Sequence, residues 1–169
     1  AVIGAGPVGC EMAQAFQRLG ITVTLIGRSP HLLPRDDADL TQVLRDQFSA
    51  EGIEMLLDAE ATAVSGRRDG EVTVRVQQGD QARDVEADRL LLCVGRRPNV
   101  EGLGLDRAGV LTTPRGIVVD HRLRTTARHV WALGDVTGLA PFSHMAEAQA
   151  RAVASHIAFG WPARFDRHE

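Results

Sequence analysis

Three glycines near the start constrain this chain more than anything else in it. In Ala1-Val2-Ile3-Gly4-Ala5-Gly6-Pro7-Val8-Gly9-Cys10-Glu11 they are spaced G-x-G-x-x-G directly after a short apolar stub. In a strand–turn–helix unit each has a mechanical duty: Gly4 permits the tight turn, Gly6 lets the backbone approach a pyrophosphate, and Gly9 lets helix and strand pack closely. An anion seated there meets unpaired N–H groups and the positive end of the helix dipole. The following residues supply the required order. Cys10, Ala13, Phe16 and Leu19 recur at helical spacing until Gly20, and Ile21 to Ile26 reads as a buried strand. The unit is β-α-β, and a dinucleotide is its expected ligand. Only three residues precede Gly4, whereas a strand usually has about five or six, so the chain is expected to be cut from a longer one.

The pattern continues in kind as far as Leu57. Asp36 or Asp37 is placed to cap a second helix in which Leu40, Val43, Leu44 and Phe48 share a face. Glu51-Gly52 closes it ahead of a strand at Ile53 to Leu57, and a parallel sheet is the natural product. The period then changes to two. Ala61 to Ser65, Val72 to Val76 and Ala82 to Ala87 are separated by Arg68-Asp69-Gly70 and Gln78-Gly79-Asp80, which are turn sequences, so a β-meander is predicted. Leu90 to Val94 reads as a buried strand returning to the parallel sheet. A boundary falls after Gly95, where residues 96–114 are punctuated by Pro and Gly without periodicity. Beyond it, strands are predicted at Gly116 to Asp120 and Val130 to Leu133, a loop from Gly134 to Phe142, and a helix from Ser143 to Phe159 ended by Gly160. The fold class is therefore α/β: a Rossmann-like parallel sheet with a β-meander, followed by a second, smaller unit.

A length of 169 residues with 44% hydrophobic side chains suits one ordinary domain or two small ones. The net charge of -3, with arginines scattered between acids, gives no footprint for nucleic acid. No apolar run reaches the length of a membrane span and no signal-peptide pattern occurs, so a soluble, cytoplasmic protein is expected. Cys10 and Cys93 form no C-x-x-C pair and read as buried hydrophobes, the alternative being a reactive Cys10 with its pKa lowered by the helix N-terminus. No metal site is expected: His144 has no second ligand at i+3 or i+4.

The choice of nucleotide is written at the end of the second strand, where an acid about 20 residues beyond the fingerprint would accept hydrogen bonds from an adenosine ribose. That place holds Gly27-Arg28-Ser29, with His31 and Arg35 in the same loop. A guanidinium pairs with a 2′-phosphate, which a carboxylate would repel. NADPH is expected over NADH; the alternative is that Arg28 is an ordinary solvated loop residue.

Further motifs carry a family resemblance: Val94-Gly95-Arg96-Arg97-Pro98-Asn99, and Ala132-Leu133-Gly134-Asp135-Val136 followed by Phe142-Ser143-His144-Met145-Ala146-Glu147. With the glycine fingerprint and in this order, the chain resembles the flavin-dependent pyridine nucleotide-disulfide oxidoreductases, such as glutathione reductase, dihydrolipoamide dehydrogenase and mercuric reductase, the last most of all. The resemblance implies an NAD(P)H-binding domain at 1–95, the C-terminal part of an FAD-binding domain at 96–160, and at 161–169 the start of a linker to an interface domain. It implies that Gly4, Gly6, Pro7, Val8 and Gly9 cradle pyrophosphate and that Glu11 sits beside the nicotinamide, the plainer reading being a helix-dipole acid. Pro7 stands where the family often has a larger residue over the flavin. Gly95 is placed near bound nucleotide, Gly134 and Asp135 at a ribityl or ribose-like hydroxyl of FAD, and Ser143, His144 and Met145 with backbone N–H groups toward the flavin; for Asp135 an Asx turn is the alternative.

The same resemblance implies a homodimer in full length, with the flavin completed by the missing half of the FAD domain. The family's first FAD-binding unit, its redox cysteine pair and its catalytic His have no counterpart here, so no catalytic residue is assigned and the piece alone is expected to be inactive. A flavin-dependent NAD(P)H oxidase or ferredoxin reductase-like enzyme without the cysteine pair is one alternative, and a stand-alone nucleotide-binding module another. Strand edges at Gly116 to Val119 and Val130 to Leu133, without a sheet partner, are expected to pair with a second copy or remain mobile.

Overall fold

The computed structural model describes residues 1–66, 70–161 and 165. The chain divides into two compact units, Ala1–Gly95 and Arg96–Glu169. Among the described residues no helix is long and apolar enough to cross a membrane.

The first unit has three layers. Its centre is a parallel sheet in the order β3-β2-β1-β7, formed by β1 (Val2–Ile3), β2 (Thr24–Ile26), β3 (Glu54–Leu56) and β7 (Leu91–Leu92). Helices α1 (Pro7–Arg18) and α2 (Ala38–Ala50) cover one face, where Val2, Ala13, Leu25, Leu32, Phe48 and Ile53 form the core. An antiparallel meander of β4 (Glu60–Gly66), β5 (Val72–Gln78) and β6 (Gln81–Ala87) covers the other, with Val74, Val76 and Val85 against Ile26 and Leu56. Strand β4 carries a bulge between Ala61 and Ala63. The predicted turn at Arg68-Asp69-Gly70 falls mostly on residues 67–69, outside the described residues. The second hairpin closes through Gly79 at φ 56°.

Local sequence explains the helix ends. Pro7 opens α1 at a position whose N–H would have no intrahelical partner, and Arg18 complements the dipole in its last turn. Gly52, at φ 83°, takes the chain out of α2 in the left-handed conformation a side chain resists. Between the two helix ends, Glu51 accepts hydrogen bonds from Gln14 (3.1 Å), Arg18 (2.6 Å) and Gln47 (2.7 Å). The bonds from Arg18 and then Gln47 hold its carboxyl down to a pKa of about 2.

Three expectations for this unit are corrected. Leu40 and Val43 are each 69% exposed, whereas Thr41 and Phe48 are buried and Leu44 packs beside them. The helix is turned so that the 41-44-48 row meets the sheet, a phase the apolar residues alone do not fix. The strand at Leu90 to Val94 shrinks to Leu91–Leu92, and Leu92 and Val94 are exposed because β7 is an edge strand with β1 as its one neighbour. The second strand begins at Thr24, leaving Ile21 exposed.

The second unit is built on a small core of Val110, Ile117, Val119, Leu123, Ala132 and Val153. A hairpin pairs β8 (Thr112–Thr113) with β9 (Gly116–Ile117), a 3-10 turn spans Gly134–Thr137, and helix α3 spans Ser143–Phe159. The predicted strands at Gly116 to Asp120 and Val130 to Leu133 are corrected to β9 and to a single bridge between Arg124 and Trp131. Asp120 breaks the first: its Oδ1 accepts the N–H groups of Arg122 and Arg124, an Asx-type turn that competes with strand pairing. Hairpin and 3-10 turn lie in close contact. A Cβ on Gly138 would stand 1.8 Å from the Arg115 carbonyl oxygen, and one on Gly116 would stand 2.4 Å from that of Val136.

Candidate functional site

At the glycine turn the three glycines differ in what requires them. Gly4 has φ 113°, and a Cβ there would lie 2.2 Å from the Cys93 carbonyl oxygen. A Cβ on Gly9 would lie 1.8 Å from the Gly4 oxygen, so helix α1 meets the strand end with no room for a side chain. Gly6 is different. It caps α1 with φ -81° and ψ -177°, values any residue adopts, and nothing lies within 4 Å of the place its Cβ would take. The fold does not need a glycine at 6. Around that open space α1 has no side-chain cap, its first intrahelical bond runs from Cys10 N–H to Gly6 C=O at 2.9 Å, and the N–H groups of Val8 and Gly9 lack helical partners. Helix N–H donors without intrahelical partners beside that open approach fit a pyrophosphate. Pro7 and Val8 are exposed at its rim.

The loop after β2 returns to this turn at both ends. Gly27 is buried, and a Cβ on it would come 2.6 Å from that of Ala5; Leu33, at φ 47°, donates its N–H to the Ala5 carbonyl at 2.8 Å while Leu32 enters the core. Arg28 and Arg35 therefore each lie within two residues of a contact with Ala5. Both are exposed, as is His31, and among the described residues none of the three side chains has a hydrogen-bond or ion-pair partner. Ser29 is occupied structurally: its Oγ accepts the His31 N–H and its carbonyl accepts the Asp58 N–H. The anchoring role of Leu32 and Leu33 is invisible to a motif search; an apolar pair inside a polar loop is the signal that marks it.

Cys10 is buried, with its thiol directed to the Ala5 carbonyl at 3.5 Å, and burial pushes its pKa up to about 11. The reactive-thiol alternative is thereby excluded; desolvation outweighs the helix N-terminus. Burial also raises the half-buried Cys93 thiol. Glu11 is exposed at the fifth position of α1, beyond a first turn that contains no acid, so the helix-dipole reading loses its basis. Gly95 is exposed at φ 118° with open space around it.

In the second unit Asp135 lies in the 3-10 turn, its Oδ2 bonded to Arg96 Nη1 at 2.8 Å. Its side chain is 44% exposed. Ser143 and His144 are exposed and Met145 half-buried in the first turn of α3, which again has no side-chain cap, so the three N–H groups are without helical partners. The His144 ring stacks on Phe142, 5.5 Å between centroids. Gly134 precedes Asp135 at φ 73°, its N–H donated to the buried Gln149 at 2.7 Å. Sequence reasoning missed Gln149, Arg96 as the partner of Asp135, and the Phe142–His144 stack. The signal for Gln149 was a polar residue four positions before the core residue Val153 on the same helix.

Comparison with known proteins places the fold in a family. The pyridine nucleotide-disulphide oxidoreductase profile matches residues 1–152. Dihydrolipoyl dehydrogenase of Mycobacterium bovis is 40% identical over 160 residues, covering 93% of this chain and 34% of that protein. The enzyme of the same name from Thermus scotoductus is 38% identical over 167 residues, covering 98% of the chain and 36% of the relative. Among solved structures, LpdA from Mycobacterium tuberculosis superposes with a TM-score of 0.84 at 35% identity, covering 98% of this chain and 35% of its own. The HOCl-induced flavoprotein disulfide reductase RclA from Escherichia coli gives 0.82 at 29% identity, over 97% and 37% of the two chains. The chain thus spans about a third of the length of the curated relatives it matches. With the family profile matched over residues 1–152 and solved relatives sharing the fold, the chain belongs to the pyridine nucleotide-disulphide oxidoreductase family.

Proposed function

We propose that residues 1–95 form the NADP(H)-binding domain, and residues 96–160 the C-terminal part of the FAD-binding domain, of an FAD-dependent pyridine nucleotide-disulphide oxidoreductase. Residues 161–169 lead toward an interface domain. When bound, the nicotinamide supplies a hydride and the flavin accepts it, for delivery to a redox disulfide and then to substrate. This chain's residues bind and orient. Gly4, Gly6 and Gly9 with the Val8 and Gly9 N–H groups hold pyrophosphate; Glu11 and Gly95 flank the nicotinamide nucleotide; Arg28, with Arg35, pairs a 2′-phosphate. Asp135 accepts a hydroxyl of FAD, and the Ser143, His144 and Met145 N–H groups face electron-rich flavin oxygen. The observation that carries the reading is the open space at Gly6, which the fold itself does not use.

The terminal acceptor is a dithiol–disulfide of the lipoyl type or, on the likeness to mercuric reductase, mercuric ion; the relatives named above favour the first. The full-length protein is a cytoplasmic homodimer in this reading. Its test is a titration of the chain with NADPH, NADH and FAD, following thermal stability and flavin fluorescence, with 2′-phospho-AMP against AMP as the fine probe. Stabilisation by NADPH well above NADH supports the assignment. Equal binding of 2′-phospho-AMP and AMP removes the preference for NADPH, and no stabilisation by either nucleotide removes the site.

A further inference from the structure

The buried polar side chains among the described residues are Thr41, Thr125, Thr137 and Gln149, and two of the four converge on one glycine. Gln149, 2% exposed in the second turn of α3, accepts the Gly134 N–H through Oε1 at 2.7 Å. Thr137, 4% exposed, donates its hydroxyl to the Gly134 carbonyl at 2.8 Å. Both backbone polar groups of Gly134 are thus taken by buried side chains, one from α3 and one from the 3-10 turn. Helix α3 also presses on the same residue, since a Cβ on Gly134 would come 3.2 Å from that of Ala146.

Burying a glutamine amide carries a desolvation cost that an apolar residue would not, and the hydrogen bond offsets it only when held in place. A clamp of this kind fixes a direction. The next residue is Asp135, whose Oδ2 is bound by Arg96 while Oδ1 has no partner among the described residues. The helix that carries Gln149 begins with the unpartnered N–H groups of Ser143, His144 and Met145. Gln149 therefore sets the spacing between a free carboxylate oxygen and an open helix N-terminus.

We propose that Gln149 and Thr137 are positioning residues, clamping the peptides on either side of Gly134 so that Asp135 and the first turn of α3 address one flavin nucleotide together. The role rests on the flavin reading above. Loss of the acceptor at 149 lets the Leu133–Gly134 peptide rotate, and the Asp135 carboxylate loses its fixed direction although α3 remains in place.

The test compares Gln149→Met, which keeps the length without the acceptor, with Gln149→Glu, which keeps an acceptor oxygen whether ionised or protonated. Thr137→Val removes the other jaw, and Val153→Ala serves as a control that loosens α3 without touching Gly134. In the 169-residue chain, amide exchange is read at Gly134 relative to Ala146, and FAD affinity by quenching of flavin fluorescence. Gln149→Met is expected to speed Gly134 exchange about tenfold relative to Ala146 and to weaken FAD about tenfold. Thr137→Val is expected to act in the same direction, Gln149→Glu to restore both readouts, and Val153→Ala to lower the melting temperature alone. Unchanged exchange and FAD affinity in Gln149→Met, or an equal loss in Val153→Ala, overturns the proposal. Asp135→Asn separates the two inferences: if it leaves FAD affinity unchanged the flavin reading has failed, and if it weakens FAD while Gln149→Met does not, the clamp has.

Discussion

Replacing Gly6 and Gly9 in turn by alanine separates what the glycine turn does for the fold from what it does for a ligand. At Gly9 the new Cβ would stand 1.8 Å from the Gly4 carbonyl oxygen, where non-bonded atoms settle at roughly 3.4 Å or more, so backbone must shift by about 1.6 Å. The neighbour is main chain of a buried turn and cannot swing aside. Overpacking of this kind costs about 3 kcal/mol or more. At Gly6 the Cβ meets nothing within 4 Å and the dihedrals are ordinary. There the loss of unfolded-state freedom favours alanine by about 0.4–1 kcal/mol, and alanine's poorer fit at the N-cap of α1 opposes it by a similar amount, so the change is close to neutral. In a unit of this size 1 kcal/mol moves the melting temperature by roughly 4–8 °C. Gly9→Ala is therefore expected to melt at least ~12 °C below wild type, and Gly6→Ala within a few degrees of it. Nucleotide reverses the order of interest. At about 100 times Kd a ligand adds about 2.7 kcal/mol to the wild type, and Gly6→Ala is expected to lose nearly all of that shift because its methyl occupies the approach. Thermal unfolding with and without NADPH reads both numbers. A Gly6→Ala protein that is stable and still fully shifted by NADPH would show that the open space belongs to no ligand, and the reasoning would fall.

Phe48→Ala, emptying a fully buried site between α2 and the sheet, is expected to cost about 3–5 kcal/mol by denaturant titration, whereas Leu40→Ala on the exposed side of the same helix should fall within about 0.5 kcal/mol of wild type. In native protein at about pH 8, Cys10 is expected to resist iodoacetamide, its buried thiol raised to about 11, and to react on unfolding; rapid native labelling of Cys10 by mass spectrometry would contradict the assigned burial. Glu51 contributes stability that is fully present above its ordinary carboxyl pKa and lost as pH falls through its folded value of about 2. Wild type and Glu51→Gln should accordingly differ in melting temperature near neutral pH and converge toward pH 2; a constant difference would refute the lowered pKa. Arg28→Ala is expected to weaken NADPH and leave NADH unchanged, measured by titration; an equal effect on both would make Arg28 an ordinary loop residue.

The layered order of the first unit was readable because its determinants are local. A glycine turn, a helix period and a run of β-branched residues each lie within a dozen positions, and the change to period two at Ala61 announced the meander. What the pattern could not supply was phase and edge. Leu40 and Val43 are as apolar as Leu44, yet the side of α2 that meets the sheet is fixed by contacts with Phe48 and the strands beneath it. Leu92 and Val94 read as core because an apolar run does not say whether its strand has one neighbour or two. In the second unit the apolar runs at 116–120 and 130–133 carry strand composition, but Asp120 diverts the backbone of the first into a side-chain-bonded turn.

The two halves of the candidate site show the same division at the level of chemistry. At the glycine turn spacing alone identifies the residues, and the structure adds which glycine is free: Gly4 and Gly9 are consumed by packing and Gly6 is not. At Asp135 the family resemblance points to the acid but not to what aims it. Arg96 lies 39 positions earlier and Gln149 14 positions later, and neither belongs to the tetrad Ala132-Leu133-Gly134-Asp135. A motif names the atoms that touch a ligand, whereas the residues that hold those atoms still are distributed wherever the chain happens to return. Gln149 was nonetheless marked in the sequence by its conflict with its surroundings. It falls four residues before Val153 on a helix otherwise rich in alanine, at a position where the core-facing row asks for an apolar side chain. A polar residue in an apolar row is costly unless something meets it, and here what meets it is the one backbone N–H next to the candidate flavin ligand.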